Sequence, residues 1–238
     1  MTTILALDAS TDACSVALAN AVDTASIFEV IPREHNHRLF SMLRELLPDG
    51  AAAAGINTLA FGQGPGSFTG LRVAASAAQG LAYTLGVPAV GISTLACIAQ
   101  GGLRRGVLNA ADTAMVVLDA RINEIYAGLY RFENGLAVPC TADCVIAPSE
   151  LSAEYLAGQQ TVVALGTGIN CLEECPARVQ AAITRTLDAQ WPDSVDLVPL
   201  ARQAIARGEL LAPEQVQPVY LRNEVNWKKL SEQGRGRG

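Results

Sequence analysis

The segment Gly62-Gln63-Gly64-Pro65-Gly66-Ser67-Phe68-Thr69-Gly70-Leu71-Arg72 is the stretch best suited to chemistry. It lies between a predicted strand at 58–61 and a predicted helix from about 69 to 85, where backbone N–H groups and the helix dipole favour an anion. Arg72, in the first helical turn, adds a guanidinium fork for phosphate or carboxylate. No Gly-Lys-Ser/Thr follows at the Walker A spacing. Ser67 or Thr69 falls where a dinucleotide fingerprint needs its third glycine. The other reading is a tight turn whose glycines let backbone pack on backbone. Both stay open on sequence alone. Ser67 also lacks the Gly-x-Ser-x-Gly setting of a hydrolase nucleophile.

Cys140/Cys144 and Cys171/Cys175 are paired at zinc-like spacing, but three residues separate each pair and the turn-forming glycines of a zinc knuckle are absent. Free thiols are the expected state, as for Cys14 and Cys97. The opening MTTILALDAS has no basic leader and carries Asp8 where a signal peptide would be apolar. No apolar run approaches the roughly 18 residues of a membrane span. A cytoplasmic protein with reduced cysteines is expected.

The elements that must position these residues follow from hydrophobic period. Residues 3–7 are almost wholly apolar, as in a strand buried on both faces. Residues 10–19 and 22–30 read as further strands, and 36–47 as a helix ended by Pro48-Asp49-Gly50. A strand at 89–92 and a helix at 95–101 follow. Near residue 105 the pattern restarts, with strands at 115–119 and 125–132, a turn at Glu133-Asn134-Gly135, and another strand. Helices are expected at 149–156 and 200–207, with a strand at 161–166. Both halves thus open on a strand ending in Asp, then a hairpin. Such a repeat predicts two α/β domains with a cleft between them, at 1–104 and 105–222. Residues 223–238, which turn basic and Gly-rich, read as a disordered tail.

The chain has 238 residues, a net charge of −6 and only 17% charged residues, against about 25% in an average soluble protein. An acidic balance argues against holding nucleic acid by bulk charge.

Ile4-Leu5-Ala6-Leu7-Asp8-Ala9-Ser10-Thr11, the block from Gly64 to Val73, Asp119-Ala120-Arg121-Ile122-Asn123-Glu124-Ile125-Tyr126 and Pro218-Val219-Tyr220-Leu221-Arg222 together resemble the bacterial TsaB (YeaZ) family in order and spacing. The resemblance covers all but about the last dozen residues. It implies an ASKHA (actin-like, sugar-kinase-like) fold of two ribonuclease H-like domains. It further implies a non-catalytic scaffold in the assembly that makes N6-threonylcarbamoyladenosine at position 37 of tRNAs reading ANN codons. The implied partners are TsaD, which carries the metal and transfers threonylcarbamoyl, and the ATPase TsaE. A homodimer is expected when TsaD is absent, and tRNA contact is at most indirect.

In enzymes of that fold, the first-strand Asp and the turn after it hold Mg-ATP phosphates. The resemblance puts Asp8, Ser10, Thr11, Gly64, Gly66, Ser67, Thr69 and Arg72 at one vestigial anion site. Asp119, Arg121, Gly166 and Gly168 stand at its counterpart. Ala9 replaces the usual glycine and Ala120-Arg121 a Gly-Thr type pair, so the cleft reads as degenerate, with weak ATP or ADP binding at most and no cofactor of its own. The two histidines, His35 and His37, are two apart and point to nearly opposite sides of a helix, unlike the TsaD-type pair four apart. No metal site is expected. Rival readings are an ASKHA phosphotransferase acting on a small substrate and a peptidase.

The 36–47 helix has apolar residues on more than one side, and the next helix is lined with small ones. TsaB-type proteins pair through helices of the N-terminal domain. The expected partner surface is therefore His37, Leu39, Phe40, Leu43 and Leu46 with Val73, Ala74, Ala77, Ala78 and Leu81. Leu43→Glu or Ala78→Glu is expected to abolish pairing without unfolding the domain.

Overall fold

The computed structural model describes residues 2–32, 35–159, 161–187 and 190–222, with side chains omitted for 35–37. Strand β1 (Ile4–Asp8) is buried along its whole length. Its continuous apolar run suits a central position, and it pairs antiparallel with β2 (Ala13–Ala19) on one side. On the other it pairs parallel with β4 (Thr58–Gly64). Adding β3 (Thr24–Val30) outside β2 and β5 (Ala89–Ser93) outside β4 gives a sheet ordered β3-β2-β1-β4-β5.

The second half repeats this plan. Central β6 (Thr113–Arg121) turns into β7 (Glu124–Glu133) and then β8 (Leu136–Pro139). A short β9 (Cys144–Ile146) pairs with β7, and β10 (Val162–Leu165) lies parallel to both β6 and β11 (Ile183–Thr186). Read as β8-β7-β6-β10-β11, the order matches the first sheet strand for strand. The fold is therefore two α/β lobes of like plan, as the repeat predicts, and is the ASKHA type that the resemblance implies.

Among the described residues, five α-helices complete the layers. On the outer face of the first sheet lie α1 (His35–Leu46) and α2 (Phe68–Leu85), packed on β2 and β4. Ser67 caps the start of α2 by accepting from Gly70 N, and Gly86 ends it at φ 65°. Helices α3 (Thr94–Arg104) and α5 (Ser194–Ala206) pack together between the sheets. Each reaches across: α3 lies on β6–β8, and α5 on β1, β2, β4 and β5. One apolar cluster consequently joins Ile4, Ala6 and Ala60 to Val116, Leu118 and Tyr130. Short α4 (Ala177–Ala182) belongs to the outer side of the second lobe.

Three details differ from expectation. Residues 149–156 form two 3-10 turns, Pro148–Glu150 and Ala153–Leu156, because Ser152 breaks the run and caps the second turn by accepting from Glu154 N. The last helix begins at Ser194, six residues before the expected 200. Asp193 caps it, and Pro199 sits inside it rather than before it. Helix α4 and strand β11 were not expected, being short and, at Thr184-Arg185-Thr186, exposed. The tail at 223–238 lies outside the described residues.

Candidate functional site

Asp8 ends β1 and is fully buried. Its Oδ1 accepts from Ser10 N at 2.9 Å and Ser10 Oγ at 2.8 Å, while Oδ2 has no hydrogen-bond partner. Burial outweighs the Ser10 bonds and pushes the carboxyl up to about 6. The glycines explain the closure. A Cβ at Gly62 would strike Asp8 Oδ2, one at Gly66 the Ser10 carbonyl, and one at Gly70 the Ala9 carbonyl. The start of α2 is thus pressed onto the β1–β2 turn, and Ser67 N donates to Ser10 O at 2.7 Å. Ser10 is also fully buried and Thr11 nearly so. Asp8, Ser10, Thr11, Gly66 and Ser67 are therefore brought together, with Gly70 beside them, but as close backbone packing. The position expected for an anion is filled by the chain itself.

Arg72 does not join them. Its guanidinium carbon lies 3.7 Å from the centroid of the Phe68 ring, and its Nε donates to Tyr220 Oη at 3.0 Å. Gly64 stands beside the same C-terminal segment. A Cβ there would meet the Val219 carbonyl at 2.7 Å, and Val219 N donates to Gln63 O at 2.7 Å. Thr69 is exposed on the surface of α2.

The counterpart at β6 is open. Asp119 is partly exposed; its carboxylate accepts from Arg121 N at 2.7 Å and pairs with the Arg121 guanidinium at 3.1 Å. Gly166 and Gly168 pack on the backbone of Val117 and Leu118. They stop short of covering the Asp119 side chain, which lines a cavity of about 280 Å³ with Arg121, Glu124, Cys171 and Glu174. The β6–β7 turn is strained: Arg121, Ile122 and Asn123 all have positive φ, at 64°, 55° and 57°. The left-handed region is a steric outlier for a β-branched residue such as Ile122. Arg222 steadies this turn, donating to Ala120 O at 3.1 Å and pairing with Glu124.

The expected partner surface is narrower than the sequence implied. Leu39, Leu43, Ala74, Ala77 and Ala78 are buried in the cluster between α1, α2 and the first sheet. These five belong to the core, because α1 and α2 spend one shared face on the sheet. Leu43→Glu and Ala78→Glu would bury a charge, which costs far more than a lost contact, so unfolding is expected rather than clean separation. Leu46, Val73 and Leu81 are half-buried. The His37 side chain lies outside the described residues. What stands free is aromatic: Phe40 at 48%, Phe68 at 58% and Tyr83 at 72% exposure. Phe68, Tyr83 and Tyr220 were not singled out for this surface, because helical period does not show which apolar side of α2 the sheet leaves open. Between Phe40 and Phe68 a groove of about 390 Å³ is lined also by Thr69, Arg72, Val73 and Ser76.

All six cysteines are free thiols. Burial pushes the thiols of Cys144, Cys171 and Cys175 upward. Among the described residues, no three His, Cys, Asp or Glu side chains gather as a metal site. Nor is any described helix long and apolar enough to cross a membrane.

Residues 26–224 match the family described as "TsaD: tRNA N6-adenosine threonylcarbamoyltransferase". The chain is 39% identical to the tRNA threonylcarbamoyladenosine biosynthesis protein TsaB of Escherichia coli K12, over 95% of this chain and 97% of that one. Its identity to the TsaB of Haemophilus influenzae is 33%, over 96% and 97%. The solved structure of YeaZ from Pseudomonas aeruginosa superposes with a TM-score of 0.84 at 38% identity, covering 93% of this chain and all of that one.

Proposed function

The chain belongs to the TsaB (YeaZ) family, and from that membership we propose that it is a non-catalytic scaffold and activator in the formation of N6-threonylcarbamoyladenosine at position 37 of tRNAs reading ANN codons. It pairs with TsaD, which carries the metal and transfers threonylcarbamoyl, and works with TsaE; without TsaD it pairs with itself. The observation that carries this reading is the contrast between a sealed Asp8 and an open aromatic face on α1 and α2. A phosphotransferase needs its first-strand carboxylate within reach of Mg-ATP, and here Gly62 and the start of α2 enclose it. The chain works in the cytoplasm without a cofactor of its own. Any nucleotide held at the open Asp119 turn is held weakly. With a net charge of −6, the chain leaves tRNA to another subunit.

Reconstitution tests this directly. TsaD, TsaE, the threonylcarbamoyl adenylate and tRNA are combined with and without this chain, and modified tRNA is counted. Product is expected to accumulate only when the chain is present. Equal rates in its absence would overturn the proposal.

A further inference from the structure

We infer that Arg72 selects the partner: its guanidinium receives a carboxylate from a different chain, one that offers an acidic side chain beside an apolar one to the groove between α1 and α2. This rests on the pairing with TsaD proposed above.

Arg72 is already held in place. Phe68 supports its flat face at 3.7 Å, Tyr220 Oη accepts from its Nε at 3.0 Å, and the Phe68 and Tyr220 rings lie 5.5 Å apart. Among the described residues no acceptor faces Nη1 or Nη2. A guanidinium fixed on its face and at Nε has only that pair of donors left, spaced for the two oxygens of one carboxylate. The aromatic and aliphatic lining of the groove shields such a pair from water once a partner covers it. Phe40 and Val73 then accept the neighbouring apolar side chain.

Charge identifies the occupant as another chain. The protein is acidic overall, yet α2 contains no acidic residue, and α1 contains only Glu45, already paired with Arg38. A second copy laid through these two helices brings no free carboxylate of theirs to Arg72. Outside the two helices, Glu214 lines the neighbouring cavity with Ser76, Gly80 and Tyr83. Its involvement would make the occupant a second copy, so it provides the control.

The test measures two equilibria with the full chain: binding to TsaD and self-association. Arg72 is exposed, so its variants are expected to fold, with unchanged thermal midpoints as the check. Arg72→Ala is expected to weaken TsaD binding about 30-fold, and Arg72→Glu by more than about 100-fold. Tyr220→Phe keeps the ring but frees Nε, and is expected to weaken it about fivefold. Self-association is expected to change by less than about threefold in all three. The inference is overturned if Arg72→Glu binds TsaD at wild-type strength. It is equally overturned if Arg72→Glu abolishes self-association and adding Glu214→Arg restores it. Failure of the unaltered chain to bind TsaD would instead remove the proposed function, and this inference with it.

Discussion

The two lobes share a strand order yet finish their central strands differently. At β1, glycines at 62, 66 and 70 bring α2 and β4 so close that Asp8 is enclosed. At β6, Gly166 and Gly168 make the same kind of approach nearer the middle of the strand, against Val117 and Leu118. Asp119 is left outside, on a turn with three left-handed residues. Hairpins and crossovers set the sheet topology. Whether the strand-end carboxylate is a site depends on where the following glycines touch the strand. One repeat can thus carry a structural Asp in one lobe and a surface Asp in the other.

Removing the glycines should break this contrast most strongly. Gly70→Ala forces a methyl group into the backbone carbonyl of Ala9, which has no flexible end to move aside. A loss of about 3 kcal/mol is expected, read by urea unfolding. A neutral result would mean that the β1 end is loosely packed.

Next comes the Asp8 carboxyl, raised from 3.8 to about 6 by burial. The folded state therefore holds this proton more tightly than the unfolded chain does. Its contribution is complete below about pH 4 and is lost as pH rises through 6, a change of about 2 to 3 kcal/mol. Asp8→Asn keeps an oxygen for the Ser10 bonds and removes the charge. It is expected to flatten stability between pH 4 and 7 and to leave the protein more stable than wild type at pH 8. A slope unchanged by the substitution would assign the titration to another group.

Smaller effects are expected at β6. Arg222→Ala removes the tie to Ala120 O and Glu124, both partly shielded, and should cost about 1 kcal/mol. Faster amide exchange at 121–124 should accompany it. Asp119→Asn loses only an exposed pair with Arg121 and should change stability by less than about 0.5 kcal/mol. A larger loss would show that Asp119 holds the strained turn in place.

Much of this architecture could be read from residue patterns. The apolar runs of β1 and β4, the Gly-rich loop and the repeated Asp-hairpin opening all carry local signals. The closure of Asp8 does not, because it depends on Gly62 meeting a side chain 54 positions earlier in the chain. Arg72 and Tyr220 meet across 148 positions, so the sequence showed a cation near a glycine loop but not the aromatic cradle that turns it outward. The apolar breadth of α1 was read as spare surface. Leu39 and Met42 instead fill the core, and only Phe40 is left facing out. Strand β11 and helix α4 are too short for period to reveal them.

Under the proposed function this chain acts through its exposed α2 face and not through Asp8. The most direct test is the initial rate of tRNA modification in the reconstituted system, comparing Asp8→Asn with Phe68→Glu at limiting chain concentration. Asp8→Asn is expected to stay within about twofold of wild type, while Phe68→Glu is expected to fall by more than about tenfold. Loss of activity in a well-folded Asp8→Asn, with Phe68→Glu unaffected, would contradict this.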